Sequence, residues 1–325
     1  MQNQLRIIVT GADAGQRLDK VLAAAPGIGS RAEAQKLIEA GPVLVDGRPR
    51  SKNYRVREGE AIVSPLPRAE APVLEPEEMN LRTPFEDEYL LVVDKPAGLV
   101  THPAKGHPRG TLVHGLLAHQ IRGGESPHRP GIVHRLDKDT SGLLIVARDE
   151  ETHRRLTGML KRRAIERTYL ALAHGRFETR EGTVEAPLAR DASRRQKMAV
   201  DGRRGREAVT HFRVLRSWPG PGSAAAAGKA PEDFSLLEIK LETGRTHQIR
   251  VHLAAIGHPL AGDRTYGRKR DVLGIGRQFL HSARLKFRHP VTGEELEIES
   301  PLPEDLKAAL ESLSRDSETV KATGG

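Results

Sequence analysis

Residues 131–146 read GIVHRLDKDTSGLLIV, a stretch that sets one histidine, one arginine and two aspartates between an apolar entry and an apolar exit. The exit, GLLIVARD, is a continuous apolar run of strand length opened by Gly142 and reads as a buried strand. Asp137 and Asp139 therefore stand among cations at the mouth of that strand. The pattern D-x-D-x-S-G matches the start of a calcium loop, but its twelfth position, which should be a bidentate glutamate, is Arg148, and LLIVA occupies the place of a flexible loop. What remains for Asp137 is organic chemistry. A carboxylate with an ordinary pKa near 3.9 is ionised at neutral pH and serves as nucleophile or base without an activating partner. A neighbouring arginine keeps such a group charged and aimed. Taken alone, RLDKD reads first as a solvated turn leading into a strand, the commoner role of an isolated aspartate.

The wider composition narrows the partners. The chain has 325 residues, 37% of them hydrophobic, enough for one substantial core and a smaller one, so two domains are expected. Lys and Arg number 52 against 43 Asp and Glu, a net charge of +9 that favours polyanions, nucleic acid first. The absence of cysteine excludes disulfides, thiolate zinc sites and cysteine nucleophiles. A metal site is not expected: His247 and His252 lie beside Arg245 and Arg250, which oppose a dication, and no third ligand accompanies them. No run of about 18 apolar residues occurs, so no membrane span is predicted and the cytoplasm is the expected location.

Three segments follow from the pattern. Residues 1–66 predict two short helices and a small sheet: a capping box at Ser30 and Glu33 opens RAEAQKLIEAG, which stops at Gly41, and VLVDG and AIVS supply strands around a turn at Gly47. Arg17, Arg31, Lys36, Arg48 and Lys52 lie on or beside these elements; RNA contact and an ordinary solvated basic face explain them equally. Residues 67–82 are proline-rich and read as a stiff linker without a core of its own. Residues 83–325 alternate strands (EYLLVVDK, GLLIVARD, RTYLALAHG, AVTHFRVLRS, SLLEIKLET, ELEIESP) with the helices TLVHGLLAHQI and EETHRRLTGMLKRR. This order predicts an α+β domain on a mixed, largely antiparallel central sheet. Residues 217–234 read as a long exposed hairpin loop, and the tail after Pro303 begins helically and frays in ETVKATGG.

The stretch GIVHRLDKDTSGLLIVA resembles the signature of the RluA-type family of ribosomal large-subunit RNA pseudouridine synthases. ERTYLALAHG, LETGRTHQIRVHLAAIGHPLAGDRTYG and the closing QFLHSARLKFRHPVTGEELEIESPLP resemble further family segments in the same order, and residues 15–63 resemble an S4 RNA-binding domain, as in the RluD and RluC branch. The resemblance implies the pseudouridine synthase fold. It also implies that Asp137 is the catalytic aspartate, that Tyr169 stacks on the target base, and that Arg250 pairs with Asp137. Arg135 becomes the candidate to fill the gap left by an extruded uridine, with His134, Arg245 and His247 as further substrate contacts. Lys161, Arg162, Arg163, Arg194, Arg195 and Lys197 are candidate backbone contacts that a solvated face explains about as well. Two departures leave the RNA target open: Arg167 stands two residues before Tyr169 where many relatives carry lysine, and the 217–234 insertion is foreign to the pattern.

The implied reaction turns specific uridines of large-subunit (23S) ribosomal RNA into pseudouridine. Nothing is added or lost, so no cofactor is expected, and no G-x-x-x-x-G-K or G-x-G-x-x-G fingerprint is present. Whether Asp137 attacks the sugar or removes a ribose proton stays open at this stage. The expected partner is ribosomal RNA, and the expected state a monomer. The rival readings are a noncatalytic S4-type ribosome assembly factor and a glycosidase that releases uracil.

Overall fold

A computed structural model describes residues 4–25, 28, 31–41, 43–65, 74–103, 107–119, 121, 130–194, 197–219, 233–268 and 270–323. The chain divides into two compact units, Met1–Ala71 and Pro72–Gly325.

In the first unit β1 (Gln4–Ile8), α1 (Leu18–Ala23), α2 (Arg31–Glu39), β2 (Leu44–Val45), β3 (Arg48–Pro49) and β4 (Ala61–Pro65) form two helices and an antiparallel sheet of order β1-β4-β2-β3. The β2–β3 hairpin turns on Asp46 and Gly47, both at positive φ (48° and 74°), the backbone that a two-residue turn of this hand requires. Leu18, Val21, Leu22, Ile38, Val43 and Ile62 make the core.

Asp19, fully buried on α1, accepts from Arg17 (3.1 and 3.0 Å), Arg31 (3.1 and 3.3 Å) and Gln35 (2.7 Å), so one carboxylate ties α1 to α2. The Arg17 hydrogen bond, with those of Gln35 and Arg31, outweighs burial and holds the Asp19 carboxyl well below the usual range. Arg17 and Arg31, expected at RNA, thus have their guanidinium groups engaged inside the unit, and Lys52 reaches Glu39 at 2.7 Å. Lys36 and Arg48 are exposed. The expected cap at Ser30 and the Glu33 side chain lie outside the described residues.

The second unit contains β5 (Arg82–Glu86), β6 (Leu90–Lys95), α3 (Leu112–Ala118), β7 (Ser141–Ala147), α4 (Glu150–Lys161), β8 (Ile165–His174), β9 (Glu181–Glu185), β10 (Leu188–Arg190), β11 (Met198–Val200), β12 (Val209–Trp218), β13 (Phe234–Leu241), α5 (Gln248–Ala255), β14 (Leu280–Arg288), β15 (Glu295–Glu299) and α6 (Glu304–Thr323). Among the described residues one sheet runs β5-β6-β7-β14-β8-β13-β12-β9, with β15 on β14 and only the β7–β14 pairing parallel. This is the mixed, largely antiparallel α+β arrangement that the sequence predicts.

All seven residues of β7 are buried, and they alternate between two cores: Leu144 and Val146 face one side of the sheet, Leu143, Ile145 and Ala147 the other. Helices α3 and α5 cover the first face with Leu112, Leu116, Ile249 and Leu253; α4 covers the second with Leu156 and Met159. Each such fully buried side chain contributes roughly 1.5–3 kcal/mol. β14 meets β7 only through His281 and Ser282, shifts register between Ser282 and Arg284, and then pairs with β15.

Three boundary expectations change. Residues 67–73 of the expected linker lie outside the described residues, but from Leu74 onward the stretch is not coreless: Leu74 and Leu81 pack on the α3 face, and Glu77 N donates to His114 O. Trp218 pairs with Phe234, while the insertion itself, 220–232, lies outside the described residues. The C-terminal segment stays helical to Thr323 rather than fraying, because Leu306, Ala309 and Leu313 anchor α6 on Trp218, Phe234 and Phe279 and elongation from a formed nucleus is cheap. No helix among the described residues is long and apolar enough to cross a membrane.

Candidate active site

The 131–140 segment is fastened along its whole length. Gly131, at φ +67°, accepts from Ala147 N, and a β-carbon there would lie 2.1 Å from Ala147 O, so only glycine lets the chain lie against β7. Ile132 bridges Val146, and His134 Nε2 accepts from Ile145 N at 3.0 Å, taking up the edge of β7 that β14 leaves beyond Gly142. Leu136 then enters the core, and its carbonyl accepts from Thr101 Oγ1 at 3.0 Å. Past Asp137, the Lys138 carbonyl accepts from Lys95 Nζ (2.9 Å) and Gly98 N (3.0 Å), and the Asp139 carbonyl accepts from Arg277 Nη1 (3.0 Å). Lys95 is fully buried and also donates to the Pro96 and Leu99 carbonyls, an ammonium cage beneath the turn. Burial pushes its amine down to about 7, against the pull of Asp139 and Asp137.

The turn so held presents Asp137 to a cleft of about 560 Å³, whose walls include all of Asp137, Tyr169, Arg250, Arg135, His134, Arg245 and His247. Arg250, on α5, donates from Nη1 to Asp137 Oδ2 at 3.0 Å. Its other face meets Asp263 in a two-toothed pair, Nε to Oδ2 at 2.7 Å and Nη2 to Oδ1 at 2.9 Å. Burial opposes the Arg250 charge, but Asp263 and then Asp137 outweigh it and raise the guanidinium further. Burial would raise the Asp263 carboxyl too; Arg250 and the Tyr266 and Thr265 amides hold it below the usual range.

Tyr169 stands on β8 opposite Ile239 and Ser282, 4% exposed. Burial raises its phenol, with the Asp137 charge adding and Arg167 and Ser282 opposing, so the ring is neutral and its hydroxyl protonated. His247 opens α5 in the left-handed region (φ 56°, ψ 20°), a strained conformation of the sort that gathers at working sites. Tyr266 Oη accepts from Met198 N at 2.7 Å and meets His247 Nδ1 at 2.8 Å, which holds the ring with its Nε2 4.0 Å from Asp137 Oδ1. Burial lowers the His247 imidazole, against Asp137.

The remaining expected contacts divide. Arg135 is exposed, with Nη1 3.4 Å from His102 Nε2; Arg245 is half-buried and donates to Glu207 O at 2.9 Å. His134 lines the cleft but is occupied by Ile145 N, and burial, with Arg167 adding, lowers its imidazole to about 3: it anchors the segment as a neutral ring rather than offering a charge. Lys161 and Arg163 line the cleft, Arg163 paired with Glu207 and Glu242, whereas Lys197 is spent on Thr265 O. Arg195 lies outside the described residues. His252 is fixed between Thr210 Oγ1 and Ala186 O at 2.9 Å each, and Ser141 Oγ meets His281 Nδ1 at 3.0 Å. Asp263, Tyr266, Lys95 and Arg277 support the site and are not among the residues expected from the sequence. Asp263 alone had a signal, as the single carboxylate of the AGDRTYG segment.

This geometry coincides with what comparison shows. Residues 89–255 match the RNA pseudouridylate synthase family model, and residues 16–62 match the S4 domain. The uncharacterized RNA pseudouridine synthase YlyB of Bacillus subtilis (strain 168) is 43% identical over 316 residues, 97% of this chain and 99% of the relative. Ribosomal large subunit pseudouridine synthase D of Pseudomonas aeruginosa is 40% identical over 316 residues, 94% of each. The solved structure of human RNA pseudouridylate synthase domain containing 1 is 27% identical, with a TM-score of 0.55 over 75% of this chain and 97% of that one. Asp137, Tyr169 and Arg250 meet in one cleft within the matched segment, and the chain belongs to the RNA pseudouridylate synthase family, with an S4 domain ahead of the catalytic one.

Proposed function

We propose that this protein isomerises specific uridines to pseudouridine in large-subunit ribosomal RNA, with Asp137 as the reacting carboxylate. The observation that carries the reading is the Asp137–Arg250 ion pair, 3.0 Å long, in a cleft that also holds Tyr169. The ribosomal target rests on relatives of about 40% identity named for the large subunit.

In the reaction the C1′–N1 bond breaks, uracil turns, C1′ bonds to C5, the C5 proton leaves and N1 gains one, so atoms balance without a cofactor. Asp137 either attacks the sugar or takes a ribose proton. Arg250, locked by Asp263, aims that carboxylate. The uridine leaves its stack at a cost of a few kcal/mol. Arg135, exposed at the mouth, enters the vacated place, and the base stacks on Tyr169 for roughly 1–3 kcal/mol. Arg245 and His247 steady the nucleotide. The first unit holds structured RNA through exposed Lys36 and Arg48, with Lys52 beside them, on a surface that Arg17 and Arg31 shape by clamping Asp19. Action as a monomer is part of this reading, and a ribosomal RNA substrate points to the cytoplasm.

The test is Asp137→Asn: RNA binding is retained while mapping of ribosomal RNA from cells carrying only this variant shows its pseudouridines missing. Normal modification by the variant refutes the assignment. Free uracil in the wild-type reaction would favour the glycosidase instead.

A further inference from the structure

Two arginines of the cleft, Arg167 and Arg250, are each 6% exposed, and they are compensated very differently. Arg250 faces two carboxylates. Arg167, on β8, makes one long contact, Nη2 to Leu241 O at 3.4 Å; its Nε is enclosed without a partner, and no carboxylate pairs with it among the described residues. The nearby acids Glu207 and Glu242 are already taken by Arg163. A buried guanidinium is costly unless an anion meets it, and arginine does not shed its proton to escape the cost. Its charge is felt at both His134 and Tyr169, the residues that flank it in the cleft.

Gly244 keeps the guanidinium reachable. It lines the cleft and is exposed, and a β-carbon there would lie 3.0 Å from Arg167 Nη1. Tyr169 follows two residues along the same strand, so the two side chains share a face about 6.6 Å apart along β8, the span from a nucleotide's base to its own backbone.

We propose that Arg167 and the opening beside Gly244 form a phosphate-binding subsite, which receives a phosphodiester oxygen next to the extruded uridine while Tyr169 holds its base. This rests on the uridine-isomerising reading of the cleft. The anion is the one the protein leaves out, so the free site is destabilised and the RNA completes it.

The experiment uses a ribosomal RNA fragment that the full-length wild type modifies, made with ordinary linkages or with an uncharged methylphosphonate 5′ or 3′ to the target uridine. For one of these linkages, loss of the charge lowers wild-type kcat/KM about 10- to 100-fold, as for a charge-assisted hydrogen bond. Arg167→Met shows a loss of that order on ordinary RNA and little more on the methylphosphonate, Arg167→Lys recovers part of it, and Gly244→Ala reduces the sensitivity. The thermal midpoint of free Arg167→Met equals or exceeds that of wild type, since an uncompensated charge has been removed; a merely structural arginine would leave a lower one. The proposal is overturned if neither methylphosphonate affects the wild type, or if Arg167→Met loses the same further factor as wild type. A wild type that forms no pseudouridine in any ribosomal RNA removes the underlying reading as well, and is told apart because ordinary RNA then fails too.

Discussion

Arg250 and Asp263 are joined through two parallel hydrogen bonds, 2.7 and 2.9 Å, which leaves the third edge of the guanidinium, Nη1, directed at Asp137. The pair decides where the reacting carboxylate's partner points. Asp263→Asn keeps the shape but weakens the clamp; kcat should fall on the order of 100-fold, the scale of a small misplacement, with RNA affinity within about threefold of wild type. Asp263→Ala should also cost about 3–5 kcal/mol in denaturant unfolding, since Arg250 is then half uncompensated. Single-turnover kinetics with a separate binding titration decide; an affinity defect at unchanged kcat contradicts the clamp.

Asp137, Tyr169 and Arg250 are legible together in the sequence only through the family resemblance of the motifs that hold them; by pattern alone, GLLIV announces the strand behind Asp137 and TYLALA the strand under Tyr169, and neither assigns a role. Their supports were not legible in the same way. Lys95 is 42 residues from Asp137 in sequence and comes beneath its turn only because β6 and β7 are neighbours, with Gly98 N and Lys95 Nζ sharing the Lys138 carbonyl. Charge misled in the first unit for a related reason: a basic residue in a string looks the same whether it faces RNA or a buried Asp19. Proline density likewise concealed Leu74 and Leu81, whose burial depends on α3 lying alongside.

Gly142 should be among the least replaceable glycines. It sits at φ +106°, and a β-carbon there would lie 2.2 Å from Ser282 O, on the parallel β7–β14 contact. Gly142→Ala combines backbone strain with overpacking and should cost about 2–5 kcal/mol. Gly257→Ala is the control: φ is +85° but nothing lies within 4 Å, so strain acts alone. Urea midpoints of the two variants should differ, with Gly142→Ala the lower; equal midpoints would show that β7 and β14 can separate at no cost.

The second unit should weaken in mild acid. His134 titrates near 3 when folded and near 6.5 when unfolded, so the unfolded chain binds more protons between these values. The stability that the neutral ring contributes is therefore complete above about pH 6.5 and is lost as the pH falls toward 3. His247, His252 and His281 are lowered by burial too and steepen the same limb. His134→Gln, whose oxygen can still accept from Ile145 N, should flatten the slope of unfolding free energy by up to about 1.4 kcal/mol per pH unit. An unchanged slope in the variant would mean that His134 is already protonated in the folded state.

Four basic residues of the first unit, Arg17, Arg31, Lys36 and Arg48, should separate into two classes. Arg17 and Arg31 hold Asp19, a carboxylate with no exposure, and removing either takes a partner from a buried charge. Arg31→Ala should lower the melting temperature of the unit and reduce RNA affinity only through that loosening. Lys36 and Arg48 are exposed, and their replacement by alanine should move stability by less than about 0.5 kcal/mol. If they touch phosphates, each replacement weakens binding to all RNA alike and reduces the slope of log K against log salt by about 1. Binding titrations over a salt series, beside melting curves of the same variants, separate the classes. A salt slope that drops for Arg31→Ala at an unchanged melting temperature would move that arginine from the helix clamp to the RNA surface.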